Sequence, residues 1–104
     1  MDVEITSQAV PDGVRLQIEG KIILGSTQYF EKDITKNGFE GNHKVIELDM
    51  GNVSHIDSAG MGALMRLHQE ARNHGKELVV VALSKKLESL FELTRLNKFL
   101  NVKA

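Results

Sequence analysis

The chain has 104 residues, of which 41% are hydrophobic and 26% charged, with a formal net charge of -1. That length admits one compact domain, residues 1–104, and not two. The near-neutral charge removes the basic footprint of a nucleic-acid binder, and the lack of cysteine excludes disulfides and thiolate metal sites and fits a reducing compartment.

The start, "MDVEITSQ", has neither a basic n-region nor an apolar h-region, so no signal peptide is expected. The longest apolar run, "LVVVAL", falls far short of a bilayer span, and no membrane association is expected. These features predict a cytoplasmic domain whose partners are proteins or small molecules. There is no internal repeat, linker or low-complexity tract.

"VEITS" opens the chain as a short alternating strand. "VPDGV" reads as a turn, with Pro11 presetting φ and Asp12-Gly13 as the turn pair. "VRLQIEG" then alternates, with Val14, Leu16 and Ile18 on one face and Arg15, Gln17 and Glu19 on the other, so the two runs form a hairpin.

"GSTQYFEKDITKNG" predicts a first helix capped by Ser26 or Thr27, striped by Tyr29, Phe30 and Ile34, and ended by Gly38. "FEGNH" is a loop and "KVIELDM" a strand with little alternation, as expected where both faces are partly covered. From Gly60 to His74 the spacing of Met61, Leu64, Leu67, His68 and Ala71 is helical, and Gly75 is a good C′ residue.

"ELVVVAL" is the best candidate for a central parallel strand. "SKKLESLFELTRL" predicts a helix capped by Ser84 and striped by Leu87, Leu90, Phe91 and Thr94, and "FLNV" a last short strand. The order β-β-α-β-α-β-α-β, a hairpin followed by βαβ units, implies an α/β fold with a mixed sheet and right-handed crossovers. The helices are few and short, so they cover mainly one face.

"HIDSAGMGALMRLH", residues 55–68, is the least ordinary stretch. Asp57 and Ser58 stand side by side at the mouth of a helix, followed by Gly60 and Gly62. Ser58 or Asp57 as a helix N-cap is the plainest account, and the glycines then allow close approach of helix to sheet.

Catalytic accounts fit worse. "SAGMG" is not a G-x-S-x-G elbow, because Ile56 stands two residues before the serine. His43, His55, His68 and His74 build no triad around Ser58 by spacing. No carboxylate pair, zinc-ligand cluster or P-loop lysine is present, so no catalytic residue, metal or cofactor is assigned. A further account makes Ser58 a substrate. A kinase can reach a serine at an exposed strand-to-helix turn, and the free N–H groups of a helix start tolerate the added anion.

The run "VIELDMGNVSHIDSAGMGALMRLHQEARNHGKELVVVALSKKLESLFELTRLNKFL" resembles the STAS domain family, in particular its anti-sigma factor antagonists, the bacterial partner-switching proteins. The D-S-A-G-x-G turn, the following helix, the "GKELVVV" strand and the "LFELTRL" tail carry the likeness, and "VRLQIEG" resembles the family's second strand.

The resemblance implies a STAS-like domain with a four- or five-stranded mixed sheet and helices on one side. It implies phosphorylation of Ser58 by a serine kinase that is also the anti-sigma factor. The unphosphorylated form binds that kinase and frees the sigma factor; the phosphorylated form lets go. Asp57, Ser58, Gly60, Met61, Gly62 and Met65 are the implied partner-binding residues, with no enzyme activity, and a serine phosphatase is a further implied partner.

Three departures stand out. "GKIILGS" places Lys21 and Leu24 where relatives have acidic residues near the switch. Arg95 replaces the glycine of a common "S-G-L". The chain stops at "FLNVKA", without the last helix many relatives carry, which leaves the C-terminal edge open or covered by a second copy in a weak homodimer. The alternatives are a non-switching STAS subunit (a stressosome scaffold or lipid-transport accessory) and a weak nucleotide-binding domain.

Overall fold

The computed structural model describes residues 3–103. The strands are β1 (Val3–Val10), β2 (Gly13–Ile22), β3 (Val45–Ile56), β4 (Glu77–Val81) and β5 (Asn101–Val102). The helices are α1 (Thr27–Ile34), α2 (Ser58–Asn73) and α3 (Lys85–Leu93). A π-turn over Thr35–Phe39 and a 3-10 turn over Leu96–Lys98 complete the elements. The sheet order is β1-β2-β3-β4-β5, with β1 antiparallel to β2 and every other pairing parallel. The expected α/β mixed sheet, hairpin first and βαβ units after, is therefore the fold. No helix among the described residues is long and apolar enough to cross a membrane.

The register shows why one face is covered. Leu16, Leu48 and Val80 form one row across β2, β3 and β4, and all three are buried. They join one apolar cluster with Phe30 and Ile34 of α1, Leu64 and Leu67 of α2, and Leu87 and Phe91 of α3. The neighbouring row, Arg15, Glu47 and Val79, points to the opposite side, where Arg15 Nε donates to Glu47 Oε1 at 2.8 Å. Strand alternation thus writes the core on one face and a polar, open surface on the other.

Several local expectations change. In the hairpin, Val10 pairs with Gly13, so the turn residues are Pro11 and Asp12, and Asp12 itself takes the left-handed conformation at φ 59°. Gly13 is needed for a different reason: a Cβ there would stand 2.4 Å from the carbonyl oxygen of Val45. In α1, Phe30 and Ile34 are buried, but Tyr29 faces outward. Gly38 does not end a regular helix; it lies in the π-turn, packed against Ile46, and the chain turns extended only at Glu40.

β4 is parallel to both neighbours but is not central. That place belongs to β3, while Val79 and Val81 on the open side are only half-buried. A continuous β-branched run favours a strand with partners on both sides, which β4 has, but it does not mark the middle of the sheet. Thr94 leaves the α3 stripe for solvent and donates its hydroxyl back to the Leu90 carbonyl at 2.8 Å.

Candidate functional site

β3 runs twelve residues and delivers the chain directly into α2. Asp57 is the N-cap residue, extended at φ -103° and ψ -172°, and its Oδ1 accepts from the Gly60 amide at 2.9 Å. Its backbone carbonyl takes the first helical bond, from the Met61 amide at 2.9 Å. The other carboxylate oxygen, Oδ2, accepts from the Leu24 amide at 3.0 Å, thirty-three residues away in sequence. The hydrogen bond from Leu24, and after it that from Gly60, hold the Asp57 carboxyl below its ordinary range, so it is ionised at neutral pH.

The segment that carries Leu24 is shaped by Ser26. The Ser26 hydroxyl gives no cap to α1. It is buried, accepts from the Ile23 amide at 3.0 Å and donates to the Lys21 carbonyl at 2.9 Å, drawing residues 21–26 into a tight loop. The loop presents Leu24 at 78% exposure beside the start of α2. Leu24 is one of the departures from the family pattern in the sequence, but nothing in its local pattern assigns it to the site. The hydrogen bond from its amide to Asp57 does that.

With Asp57 as cap, Ser58 is the first helical residue. It is exposed, and its hydroxyl has no hydrogen-bond partner among the described residues. Its neighbour His55 is also exposed, and His55 Nδ1 lies 3.0 Å from Ser54 Oγ.

The two glycines have different roles. At Gly60 a Cβ would stand 2.0 Å from the Ile22 carbonyl oxygen, so the helix start lies directly against the end of β2. At Gly62 a Cβ would meet only Arg66 Nη1, at 3.4 Å. Met61 is half-buried and packs against the core cluster, whereas Met65 is 39% exposed on the outer face of α2. Ser58, Gly62 and Met65 therefore share a surface that Leu24 extends, while Gly60 lies beneath it and Asp57 and Met61 join surface to interior.

Substitution of the glycines separates their roles. Gly60→Ala meets fixed backbone and is expected to cost about 1–3 kcal/mol or more. Gly62→Ala is expected to be neutral or to stabilise by up to about 1 kcal/mol, the helix preference of alanine over glycine. Chemical denaturation of the two variants measures both.

Asp57 gives a pH test. Its folded pKa lies below the unfolded value, so its contribution is complete above the unfolded value and lost as pH falls through the folded one. Asp57→Asn should melt below the native protein at pH 7. That difference should narrow as the pH drops below about 4, the ordinary aspartate range, and melting curves over that range check it.

Residues 3–104 match the STAS domain family model. The anti-sigma-B factor antagonist of Listeria monocytogenes is 36% identical over 59 residues, covering 57% of this chain and 52% of the relative, about half its length. A protein of the same name from Staphylococcus epidermidis is 24% identical over 102 residues, covering 98% of this chain and 94% of the relative. The solution structure of protein TM1081 of Thermotoga maritima superposes with a TM-score of 0.80 at 21% identity, over 93% of this chain and 78% of that one, a likeness of fold. With a family match over nearly its whole length and a hairpin-led mixed sheet covered on one face, the chain belongs to the STAS domain family.

Proposed function

We propose that the chain is an anti-sigma factor antagonist that works by binding rather than by catalysis, in the cytoplasm, and that Ser58 is its switch. In the unphosphorylated form it binds an anti-sigma factor that is also a serine kinase, and the sigma factor is released. Phosphorylation ends the binding, and a serine phosphatase restores it. The observation that carries this reading is the state of Ser58: an exposed hydroxyl at the first position of α2, without a hydrogen bond among the described residues because Asp57 performs the capping. The names of the Listeria and Staphylococcus relatives, anti-sigma-B factor antagonists, support the antagonist part of this reading.

The chemistry is phosphoryl transfer from a nucleoside triphosphate held by the kinase. Ser58 Oγ bonds to the γ-phosphorus as the bond to the bridging oxygen of the departing nucleoside diphosphate breaks. The hydroxyl proton passes to a base on the kinase. Hydrolysis of the phosphoserine on the phosphatase transfers the phosphoryl group to water, releasing inorganic phosphate and restoring the Ser58 hydroxyl.

The product carries about -1.5 to -2 charges at neutral pH beside the ionised Asp57. Apart from repulsion by that carboxylate, the described residues accommodate it, because the hydroxyl contributes to no cap and no core contact among them. A partner surface shaped for a neutral hydroxyl, Leu24 and Met65 must instead desolvate a dianion. A penalty of several kcal/mol corresponds to a loss of affinity of about 100-fold or more. Met65 suits such a surface, being unbranched and polarizable.

Titration of variants against the cognate kinase tests the proposal. Ser58→Ala is expected to bind and to stay bound when nucleotide is added. Ser58→Asp and Met65→Glu are expected to bind about 100-fold more weakly or not at all. All three should melt within a few degrees of the native protein, as exposed positions do. Equal affinity of the phosphorylated and unphosphorylated forms would sink the switch and leave a constitutive scaffold.

A further inference from the structure

Ser58, Gly62 and Arg66 stand one helical turn apart along α2, so they form a single row on its surface. The middle member of the row has no side chain. Helical side chains lean toward the N-terminus, which carries that of Arg66 over Gly62 in the direction of Ser58. Arg66 Nη1 accordingly lies 3.4 Å from the point a Gly62 Cβ would occupy.

The other two guanidinium nitrogens are engaged with α1. Nε donates to Glu31 Oε1 at 2.8 Å and Nη2 to Glu31 Oε2 at 3.0 Å. Nη1 has no hydrogen-bond partner among the described residues. The Arg66 side chain is 61% exposed and has room to swing.

Cβ atoms four residues apart on a helix are separated by about 5–6 Å. Adding the 3.4 Å from the virtual Cβ of Gly62 places Ser58 Cβ at most about 9 Å from Nη1. The serine hydroxyl does not close that distance. A phosphoryl group reaches two bonds further and offers three acceptor oxygens, and rotation of the exposed arginine covers the rest. The geometry points to Arg66 as the residue that receives the phosphate of phosphorylated Ser58, across the gap left by Gly62 and in exchange with Glu31.

The assignment rests on the reading of Ser58 as phosphoacceptor. A guanidinium fork matches phosphate oxygens as well as it matches a carboxylate, and a dianion outcompetes the single charge of Glu31. The exchange loosens the link between α2 and α1 and moves a guanidinium across the surface beside Met65. The modified protein then differs from the unmodified one in the shape of its binding face as well as in charge.

The test needs no kinase. Phosphoserine is incorporated at position 58 during synthesis of the full chain, and the phosphate is titrated by phosphorus NMR around its ordinary second pKa of about 6. Asp57 raises that value in every variant alike and cancels in the comparison. With the native sequence the pKa is expected about half a unit or more below that of Arg66→Ala. Gly62→Leu, which fills the gap, should raise it as Arg66→Ala does, and Arg66→Lys should retain part of the shift.

Glu31→Gln should lower the pKa further, because it frees the arginine. Charge acting at a distance would also move Glu31→Gln and Arg66→Ala in opposite directions, so contact is read from Gly62→Leu, which alters no charge. An unchanged pKa in Gly62→Leu, or equal pKa values for native and Arg66→Ala proteins that melt within a few degrees of each other, overturns the assignment. Phosphorylation itself is read separately, by mass after incubation of the native chain with cognate kinase and nucleoside triphosphate. Absence of a mass gain there defeats the functional reading, whatever the titration shows.

Discussion

The Asp57 carboxylate joins two segments that only the folded chain brings together. One oxygen caps the helix that begins at the next residue, and the other holds the Leu24 amide in the loop that follows β2. Because aspartate takes the cap, the adjacent serine hydroxyl is left without a partner among the described residues. The exposed hydroxyl, the depressed carboxyl pKa and the placement of Leu24 follow from one side chain with two acceptors.

That arrangement requires the helix start to lie very close to β2. The Asp57 amide donates to the Ile22 carbonyl at 3.4 Å, and Gly60 leaves no atom where that carbonyl stands. Gly60 is therefore fixed by backbone geometry. Gly62, one half-turn on, is free of any such demand and opens the outer surface instead. Two residues of the same type, two positions apart, answer to opposite sides of the helix.

The sequence carried the sheet and its helices well, because alternation in β2 and three-four spacing in α2 report burial directly. Asp57 and Ser58 were visible as a pair at a strand-to-helix junction, but which one capped was not, since both types make good caps. Leu24 was assigned no role because its link to Asp57 spans thirty-three residues, and local patterning contains nothing at that range. The misplacement of β4 has the same origin. A valine run measures hydrophobicity along one strand, whereas centrality depends on where the other strands lie. Tyr29 failed as a core residue because a short stripe fixes the helix face only to within one neighbouring position.

The long sequence separation behind the Leu24–Asp57 bond also sets when the site comes into being. Parallel pairing of β2 with β3 closes a large loop before any contact rewards it, which makes it a slow kind of event in folding. The surface around Ser58 is a discontinuous epitope that no peptide copied from residues 55–68 reproduces. On the proposed function, a nascent or partly unfolded chain is consequently silent to a partner of that surface, and the signal such a partner receives counts only molecules that have finished folding.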